Sequence, residues 1–408
     1  MKRSFGFWRT WALVVGTIIG SGVFTLPAIL APYGNNSLFG WAVAACGTIS
    51  IAFAFCHLAG RNPRLGGPHA YVDEAFGHYP AMFVAWGYWI SLWVSIAAIA
   101  TAFSGYSAIF FPIIADYTWL SASVAIAVVW LFTYVNLKGV EDVSIVQMVT
   151  VILKLIPLFV IGAAGLMFGD LTEVPLENPN NESFPVMVSG ITILVMFSFI
   201  GIEAATVPSE NVENPKKTIP RALIWGTITA ATIYILATAG VMSMIPIGAL
   251  QNSTSPFADA ASIIFGGVGS TIVGIGALIA IAGALNSNIL LTGTVLMAGA
   301  YDKVFPAFLK KANNDGTPVT ALLFSSSLTS MVIAINSSKG MLKAFEIMIL
   351  ISTFSILLAY LGATLASIRL QFRDKLNGAE INPLILFNSI LAALFSTFAI
   401  VGAWVIYQ

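Results

Sequence analysis

The stretch GTIIGSGVFTLPA, from Gly16 to Ala28, lies in an apolar run long enough to cross a lipid bilayer, yet it contains three glycines, two threonines and a serine. Glycine weakens a helix and frees backbone polar groups, which lipid cannot satisfy. The stretch therefore predicts a membrane helix that is interrupted midway and has a use for its exposed backbone.

The rest of the chain has the composition of an integral membrane protein. Of its 408 residues, 58% are hydrophobic and 9% are charged, whereas an ordinary soluble domain has about 25% charged residues. The formal net charge is zero, which gives no basic face for nucleic acid. The two cysteines, Cys46 and Cys56, cannot build a disulfide framework or a zinc site. Nothing in the sequence calls for a cofactor or a metal.

Apolar windows of about 20 residues predict an all-α membrane protein. There are about eleven candidate transmembrane helices, at residues 8–33, 38–60, 80–112, 120–137, 145–168, 185–209, 221–245, 268–300, 318–337, 343–370 and 384–407. The third and eighth windows are longer than a bilayer needs, so we expect these helices to tilt or to extend into a loop.

The distribution of lysine and arginine predicts the topology. With a cytoplasmic N-terminus, all of the 18 basic residues except Lys154, Lys339 and Lys343 fall in internal segments. The predicted external loops DLTEVPLENPNNES and PIGALQNSTSPFADA contain no basic residue. We therefore expect a multi-pass protein of the cell (inner) membrane with its N-terminus inside.

A second interrupted segment, VMFSFIGIEAATVPSENVENP, begins at Val195 and places Ser198, Gly201 and Glu203 in the sixth window. The first and sixth windows open two successive sets of five helices, so the second set would enter the membrane from the opposite side. The predicted repeats are residues 1–168 and 185–370, with an additional helix at 384–408. Interrupted helices at matching places in two inverted repeats indicate the substrate site of a secondary transporter.

The two breaks predict what such a site would bind. We expect the stretch Gly16–Gly22 to unwind, so that its half-helix end offers free backbone amides to an anion, and the second break to offer free carbonyls to an ammonium. Together they describe an α-amino acid. The alternative for Gly16 and Gly20 is a GxxxG helix-packing pattern, and Glu203 could be a structural hydrogen-bonding residue.

Several motifs identify a resemblance to a known family. The stretches GTIIGSGVFTLPA, GGPHAYVDEAFG, SFIGIEAATVPSENVENPKKTIPRA, SPFADAA and YDKVFPAF resemble the amino-acid–polyamine–organocation (APC) superfamily, in particular the bacterial arginine/agmatine and basic amino-acid/polyamine antiporters. The resemblance implies a LeuT-type 5+5 inverted repeat with discontinuous helices 1 and 6. It also implies transport of a small amino acid or amine by alternating access, with a homodimer as a candidate assembly.

The resemblance further implies roles for individual residues. Phe197 and Tyr88 match gate residues, and Glu203 matches an acidic residue associated with proton-dependent transport. The substrate site would be built from Thr17, Ile18, Ser21, Gly22, Ser91, Leu92, Ile96, Phe197, Ser198, Ile200, Gly201, Asn286 and Asn288.

Two departures from the family pattern bear on the substrate. Asn288 stands where the arginine/agmatine antiporters have a tryptophan that stacks on the guanidinium, and Ile96 stands at a family asparagine. Loss of an aromatic platform removes a cation–π contribution of about 1–2 kcal/mol. Strict arginine/agmatine exchange is therefore disfavoured, and neutral amino acids, cationic amino acids and polyamines all stay open as substrates.

Lys154, in VTVILKLIPLFVIG, is a charge near the middle of an apolar window. Such a residue is costly in a bilayer and marks function by default, and its stem is too short to snorkel from this depth. In proton-coupled APC members a fifth-span lysine replaces the sodium ion of related transporters. We expect Lys154 to contact a freed carbonyl near Gly16 and a hydroxyl such as Ser287, with Glu203 as the second proton-coupling residue.

Three alternative classes of protein are an enzyme, a channel and a sensor. An enzyme would need a nucleophile–base or metal constellation, and His57, His69 and His78 lie near one internal loop without ligand spacing. A channel would need rings of charge or a carbonyl filter. A transport-like amino-acid sensor would keep the same pocket. Proton symport and exchange both stay open at this point.

Overall fold

The computed structural model describes residues 6–61, 67–138, 143–203, 212–313, 316–378 and 380–406. Within these ranges the chain is helical, and the β-type pairing they contain is one bridge between Gly34 and Leu176. Its helices are α1 (Phe7–Ile18), α2 (Gly22–Leu30), α3 (Asn36–Arg61), α4 (Pro68–Phe76), α5 (His78–Ser107), α6 (Ile113–Asp116), α7 (Thr118–Leu137), α8 (Val143–Phe168), α9 (Phe184–Met196), α10 (Pro215–Met242), α11 (Ile247–Leu250), α12 (Pro256–Tyr301), α13 (Val319–Asn336), α14 (Met341–Leu376) and α15 (Pro383–Ile406).

Eight helices of the described residues are long and apolar enough to cross a membrane, and the bent pair α1 and α2 makes a ninth span. Two shorter apolar helices, Lys154–Phe168 and Phe184–Phe199, fall in the predicted fifth and sixth windows. The all-α membrane class is confirmed, whereas the count of eleven spans stays a prediction. The long eighth window belongs to α12, which is kinked at Gly266, where φ is +65°.

The first span is broken between α1 and α2, which are bent by 40°. The unwound residues are Ile19 to Ser21, so Gly16 is still helical and Gly22 already begins α2. The predicted unwinding of Gly16–Gly22 is thus shorter than expected. None of residues 16–22 has a positive φ, so the chain leaves the helix through ordinary backbone conformations that do not require glycine.

The second break follows α9. A 3₁₀ turn, Phe197–Phe199, leads to Ile200 in an extended conformation and to Gly201 with φ +103°. An L-residue rarely adopts that conformation, so this break does use the glycine that the sequence places there. Residues 204–211, which continue the predicted sixth window, lie outside the described part of the chain.

The two broken helices run in opposite directions. The ring of Phe184, the first residue of α9, lies 5.5 Å from the ring of Phe39 in the first turn of α3. The Asn35 side chain, just after α2, donates hydrogen bonds to the carbonyls of Leu171 and Val174. The end of α2 and the start of α9 therefore share one side of the bundle, and the start of α1 lies on the other side.

Candidate functional site

A cavity lies where the two breaks meet. Its volume is about 20 Å³, which is room for about one water molecule. In this conformation the cavity is therefore too small to hold an amino acid. The lining residues come from the first break, from α5, from the second break and from α12: Thr17, Ile18, Gly20, Ser21, Gly22, Ser95, Ile99, Phe197, Ser198, Ile200 and Asn288.

Eight of the predicted substrate residues line this cavity, and five do not: Ser91, Leu92, Ile96, Gly201 and Asn286. On α5 the cavity-facing residues are Ser95 and Ile99, one turn apart, where the resemblance placed Ile96. A helix turns 100° per residue, so Ile96 lies on the face of α5 next to that of Ser95. The hydroxyl of Ser91 is 3.2 Å from that of Ser352 on α14.

Asn286 faces a different helix. Its Oδ1 accepts a hydrogen bond of 2.9 Å from the Asn136 amide on α7. Asn286 and Asn288 are two positions apart, about 200° around the helix, so only one of them can face the cavity. That residue is Asn288.

The main-chain turn around Ser21 leaves polar groups unused. The first backbone N–H groups of α2 have no helical partner, as at every helix start. The hydroxyls of Ser21 and Ser198 are buried and make no hydrogen bond within the described residues. Buried polar groups are costly without a partner, so this arrangement is suited to a ligand that accepts hydrogen bonds.

Lys154 holds the first break. Its side chain is 3% exposed, and its Nζ donates hydrogen bonds of 2.9 Å to the Gly16 carbonyl and 3.0 Å to the Ile19 carbonyl. Both oxygens lie at the C-terminal end of α1, where the helix dipole favours a cation. The Ser287 hydroxyl, expected as a further contact, instead donates to the Gly283 carbonyl of its own helix.

Tyr234 of α10 also contacts both breaks, and sequence reasoning did not find it. Its hydroxyl lies 2.8 Å from the Ile18 carbonyl and 2.9 Å from the Ser198 carbonyl. The residue is fully buried and packs against Trp41 and Phe199. A polar residue within the seventh apolar window was the only signal in the sequence.

Glu203 lies just beyond the second break and is fully buried. Its two carboxylate oxygens accept hydrogen bonds of 2.8 Å from Tyr88 of α5 and 2.6 Å from Tyr360 of α14. The cluster joins three elements on the side of the cavity that α1 enters from. Tyr360, which the sequence analysis did not select, packs its ring 5.6 Å from Phe55 of α3.

Phe197, the other predicted gate residue, makes an aromatic contact. The Phe197 ring lies 5.8 Å from the Phe345 ring of α14, edge to face, and Phe197 is 6% exposed. Aromatic packing of this kind has no hydrogen bond to break.

Comparison with known proteins decides the family. The profile of the amino acid permease family matches residues 5–408. The chain belongs to the amino acid permease family. This permease is 30% identical to the cadaverine/lysine antiporter of Escherichia coli (strain K12), over 98% of this chain and 90% of that protein. It is 30% identical to the arginine/ornithine antiporter of Pseudomonas aeruginosa, over 89% and 78%. It is 27% identical to the putrescine transporter PotE of Haemophilus influenzae, over 98% and 92%.

Family membership settles several expectations. The permease is a multi-pass membrane transporter of the APC class and not an enzyme. The resemblance read from the motifs is confirmed over the whole chain.

Proposed function

We propose that this permease carries an α-amino acid across the membrane by alternating access, with the substrate bound between the two helix breaks. The observation that carries the proposal is the cavity itself, which lies where two oppositely directed broken helices meet. The start of α2 supplies amides, and the free hydroxyls of Ser21 and Ser198 can donate to a carboxylate. The α-amine would take carbonyls of the second break.

The carbonyls of the second break differ in how free they are. The Phe197 carbonyl accepts from the Ile200 N–H at 3.3 Å, and the Ser198 carbonyl faces the Tyr234 hydroxyl. We therefore place the α-amine at the carbonyls that follow, of Phe199 and Ile200. This refines the expected set without changing the helix that supplies it.

Transport is proposed to be independent of sodium and linked to protons. The Lys154 ammonium occupies the end of α1 and contacts two carbonyls there, so no metal cation is needed. Glu203, held by two tyrosines, is the second proposed proton-coupling residue. The names of the similar proteins, two of which are antiporters, favour exchange over symport.

The proposal extends to the inverted repeats, the orientation in the membrane and the two gates. The repeats are proposed as residues 1–168 and 185–370, since each opens with one of the broken helices and those helices run in opposite directions. The excess of lysine and arginine in alternate loops supports a cytoplasmic N-terminus in the inner membrane. Tyr88 with Glu203 and Tyr360 would then be the inner gate, and Phe197 with Phe345 the outer gate. The homodimer stays a prediction from the resemblance.

The test is counterflow in proteoliposomes. Vesicles that contain the full chain and an unlabelled amino acid should accumulate labelled amino acid without sodium, with saturation. Decarboxylated amines should compete poorly if the carboxylate is bound as proposed. Counterflow that is absent for every amino acid, or that is seen only for amines, would contradict the proposal.

Gly22→Ala tests the location of the site. A Cβ at Gly22 would overlap the Ser198 hydroxyl and lie 3.1 Å from the Phe197 ring and 3.3 Å from the Ser198 Cα. Overpacking of this kind costs about 1–3 kcal/mol, so we expect amino-acid affinity to fall at least ~10-fold in a binding assay. Gly283→Ala is the control, because a Cβ there meets nothing within 4 Å. Equal affinities in the two variants would place the substrate elsewhere.

A further inference from the structure

The polar side chains that line the cavity on α1, α5 and α12 share one property, which is that each donates a hydrogen bond within its own helix. Thr17 donates to the Leu13 carbonyl at 2.8 Å, and Ser95 donates to the Leu92 carbonyl at 2.7 Å. The Asn288 amide NH₂ donates to the Ala284 carbonyl at 2.8 Å. Each is a bond from a side chain to the backbone of its own helix.

These bonds fix what each side chain can still offer to a ligand. A hydroxyl has one hydrogen and two lone pairs, so Thr17 and Ser95 are left as acceptors. Asn288 must turn its NH₂ toward the Ala284 carbonyl, because the reverse orientation would set two acceptor oxygens against each other. Its Oδ1 is therefore left to accept a hydrogen bond, beside the second hydrogen of the NH₂ group.

The two breaks supply part of the cavity wall, and α5 and α12 supply the rest. An amino acid with its carboxylate and α-amine at the breaks would therefore turn its side chain toward α5 and α12. We propose that Ser95 and Asn288 make this end of the cavity selective for a side chain that ends in an ammonium group. The inference rests on the proposed function, since it needs the backbone groups of the substrate to sit at the breaks.

Neutral oxygens can hold an ammonium in this protein, as Lys154 shows. Its Nζ is buried, and the partners that it has among the described residues are two carbonyl oxygens, at 2.9 and 3.0 Å. An ammonium has three donors on one atom, which suits separate acceptor oxygens on different helices. The substrate ammonium would find the same kind of environment at Ser95 and Asn288.

A guanidinium and an apolar side chain fit less well. Among the described residues, Phe197 is the aromatic one that lines the cavity, and its ring packs against Phe345. This part of the chain therefore offers no lining aromatic from α12 to stack on a guanidinium. An apolar side chain would bury the Ser95 and Asn288 oxygens without a donor, which is costly. The order expected is ammonium first, then guanidinium, then an apolar side chain.

The experiment compares substrates that differ in one group. Competition of labelled lysine by lysine and norleucine, and by ornithine and norvaline, is measured on the purified full chain in proteoliposomes, with arginine as a third probe. Each pair has the same chain length and differs only in the terminal ammonium. We expect the ammonium member to bind at least ~10-fold more tightly.

Two variants test the residues. Asn288→Leu and Ser95→Ala should each lower the preference for lysine over norleucine at least ~5-fold, mainly through weaker lysine binding. Because the preference is a ratio within one preparation, partial misfolding does not imitate the effect. Thr101→Val is the control, since its hydroxyl donates to Ala97 of the same helix α5 but does not line this cavity; its ratio should stay at the wild-type value.

The outcomes separate the two proposals. If norleucine binds as tightly as lysine, or arginine binds more tightly, the ammonium selectivity is wrong while an α-amino-acid site stands. If neither variant changes the ratio, Ser95 and Asn288 do not set the selectivity. If no α-amino acid of any kind binds, the proposed function itself fails.

Discussion

The break after α1 contains no residue with positive φ, whereas the break after α9 turns at Gly201 with φ +103°. The first break is held by groups from other helices, namely the Lys154 ammonium and the Tyr234 hydroxyl. The second break depends on its own backbone conformation, because only glycine adopts that conformation easily. The two breaks meet at one cavity but are stabilised in different ways.

This difference implies that the two breaks respond to different substitutions. A break that depends on partners should be lost when a partner is lost, even if its own sequence is intact. A break that depends on local backbone conformation should respond to substitution of one glycine and tolerate changes in its surroundings. The following predictions are ordered from the largest expected effect to the smallest.

Lys154→Met should have the largest effect, because it removes both hydrogen bonds that satisfy the end of α1. Leaving a buried carbonyl without a partner costs about 1–3 kcal/mol, and two are affected here. We expect a clear loss of thermal stability in detergent and at least ~100-fold slower amino-acid uptake.

Lys343→Met is the control for that variant, since Lys343 is 60% exposed and pairs with Glu346. It should behave like the wild type. Full uptake by Lys154→Met, with its pH dependence unchanged, would show that the first break does not depend on Lys154.

Gly201→Ala should come next. An L-residue in the left-handed region is strained by about 1–2 kcal/mol, and a Cβ here would lie 3.3 Å from both the Cβ and the carbonyl oxygen of Thr17. Ligand affinity and thermal stability should both fall, the affinity by roughly 10-fold.

Gly77→Ala separates backbone strain from crowding at the site. Gly77 has φ +88°, and a Cβ there meets nothing within 4 Å. The Gly77→Ala variant should lose about as much thermal stability as Gly201→Ala and keep its ligand affinity. If both variants keep their affinity, the second break is not shaped by Gly201.

Tyr234→Phe should have the smallest effect of the three, because it removes one hydroxyl while Lys154 still holds α1. A single hydrogen bond contributes about 0.5–1.5 kcal/mol, so we expect amino-acid affinity to fall about 3–10-fold. The assay is equilibrium binding on the purified chain.

Tyr106→Phe is a close match for this variant. Tyr106 is also fully buried, and its hydroxyl donates to the Phe24 carbonyl of α2 at 2.9 Å, away from the cavity lining. It should lower stability without changing affinity. A Tyr234→Phe variant with the same profile would make Tyr234 a packing residue only.

Much of the site could be predicted because its residues are energetically unfavourable in a membrane helix, so their presence indicates a function. The glycines at 16–22, Lys154 within an apolar window and Glu203 after Gly201 are all anomalous in a membrane helix. The structure brings Lys154 to the Gly16 carbonyl as expected. The role of each of these residues in transport stays a proposal.

The facing of α5 and α12 could not be predicted in the same way. A membrane helix is apolar on the faces that meet lipid as well as on those that meet other helices, so its periodicity does not show which face meets the cavity. That is why Ile96 was expected on the face where Ser95 is found, one residue away. Leu92 lies on the same face as Ile99, two turns along the helix, and does not line the cavity. Alignment to a family motif does not fix the facing of a helix to within one residue when the surrounding sequence is uniformly apolar.

The sequence by itself determined that this protein lies in a membrane, that it is helical, and that its first and sixth windows are interrupted. The reason is that a bilayer requires apolar segments of a set length, and lipid cannot satisfy charges or the backbone groups that glycines expose. The tertiary structure alone decided that unwinding is confined to Ile19–Ser21 and that Tyr234 and Tyr360 join the site. Those outcomes depend on how helices distant in sequence rotate and pack, and the free energy that sets each rotation comes from contacts between them.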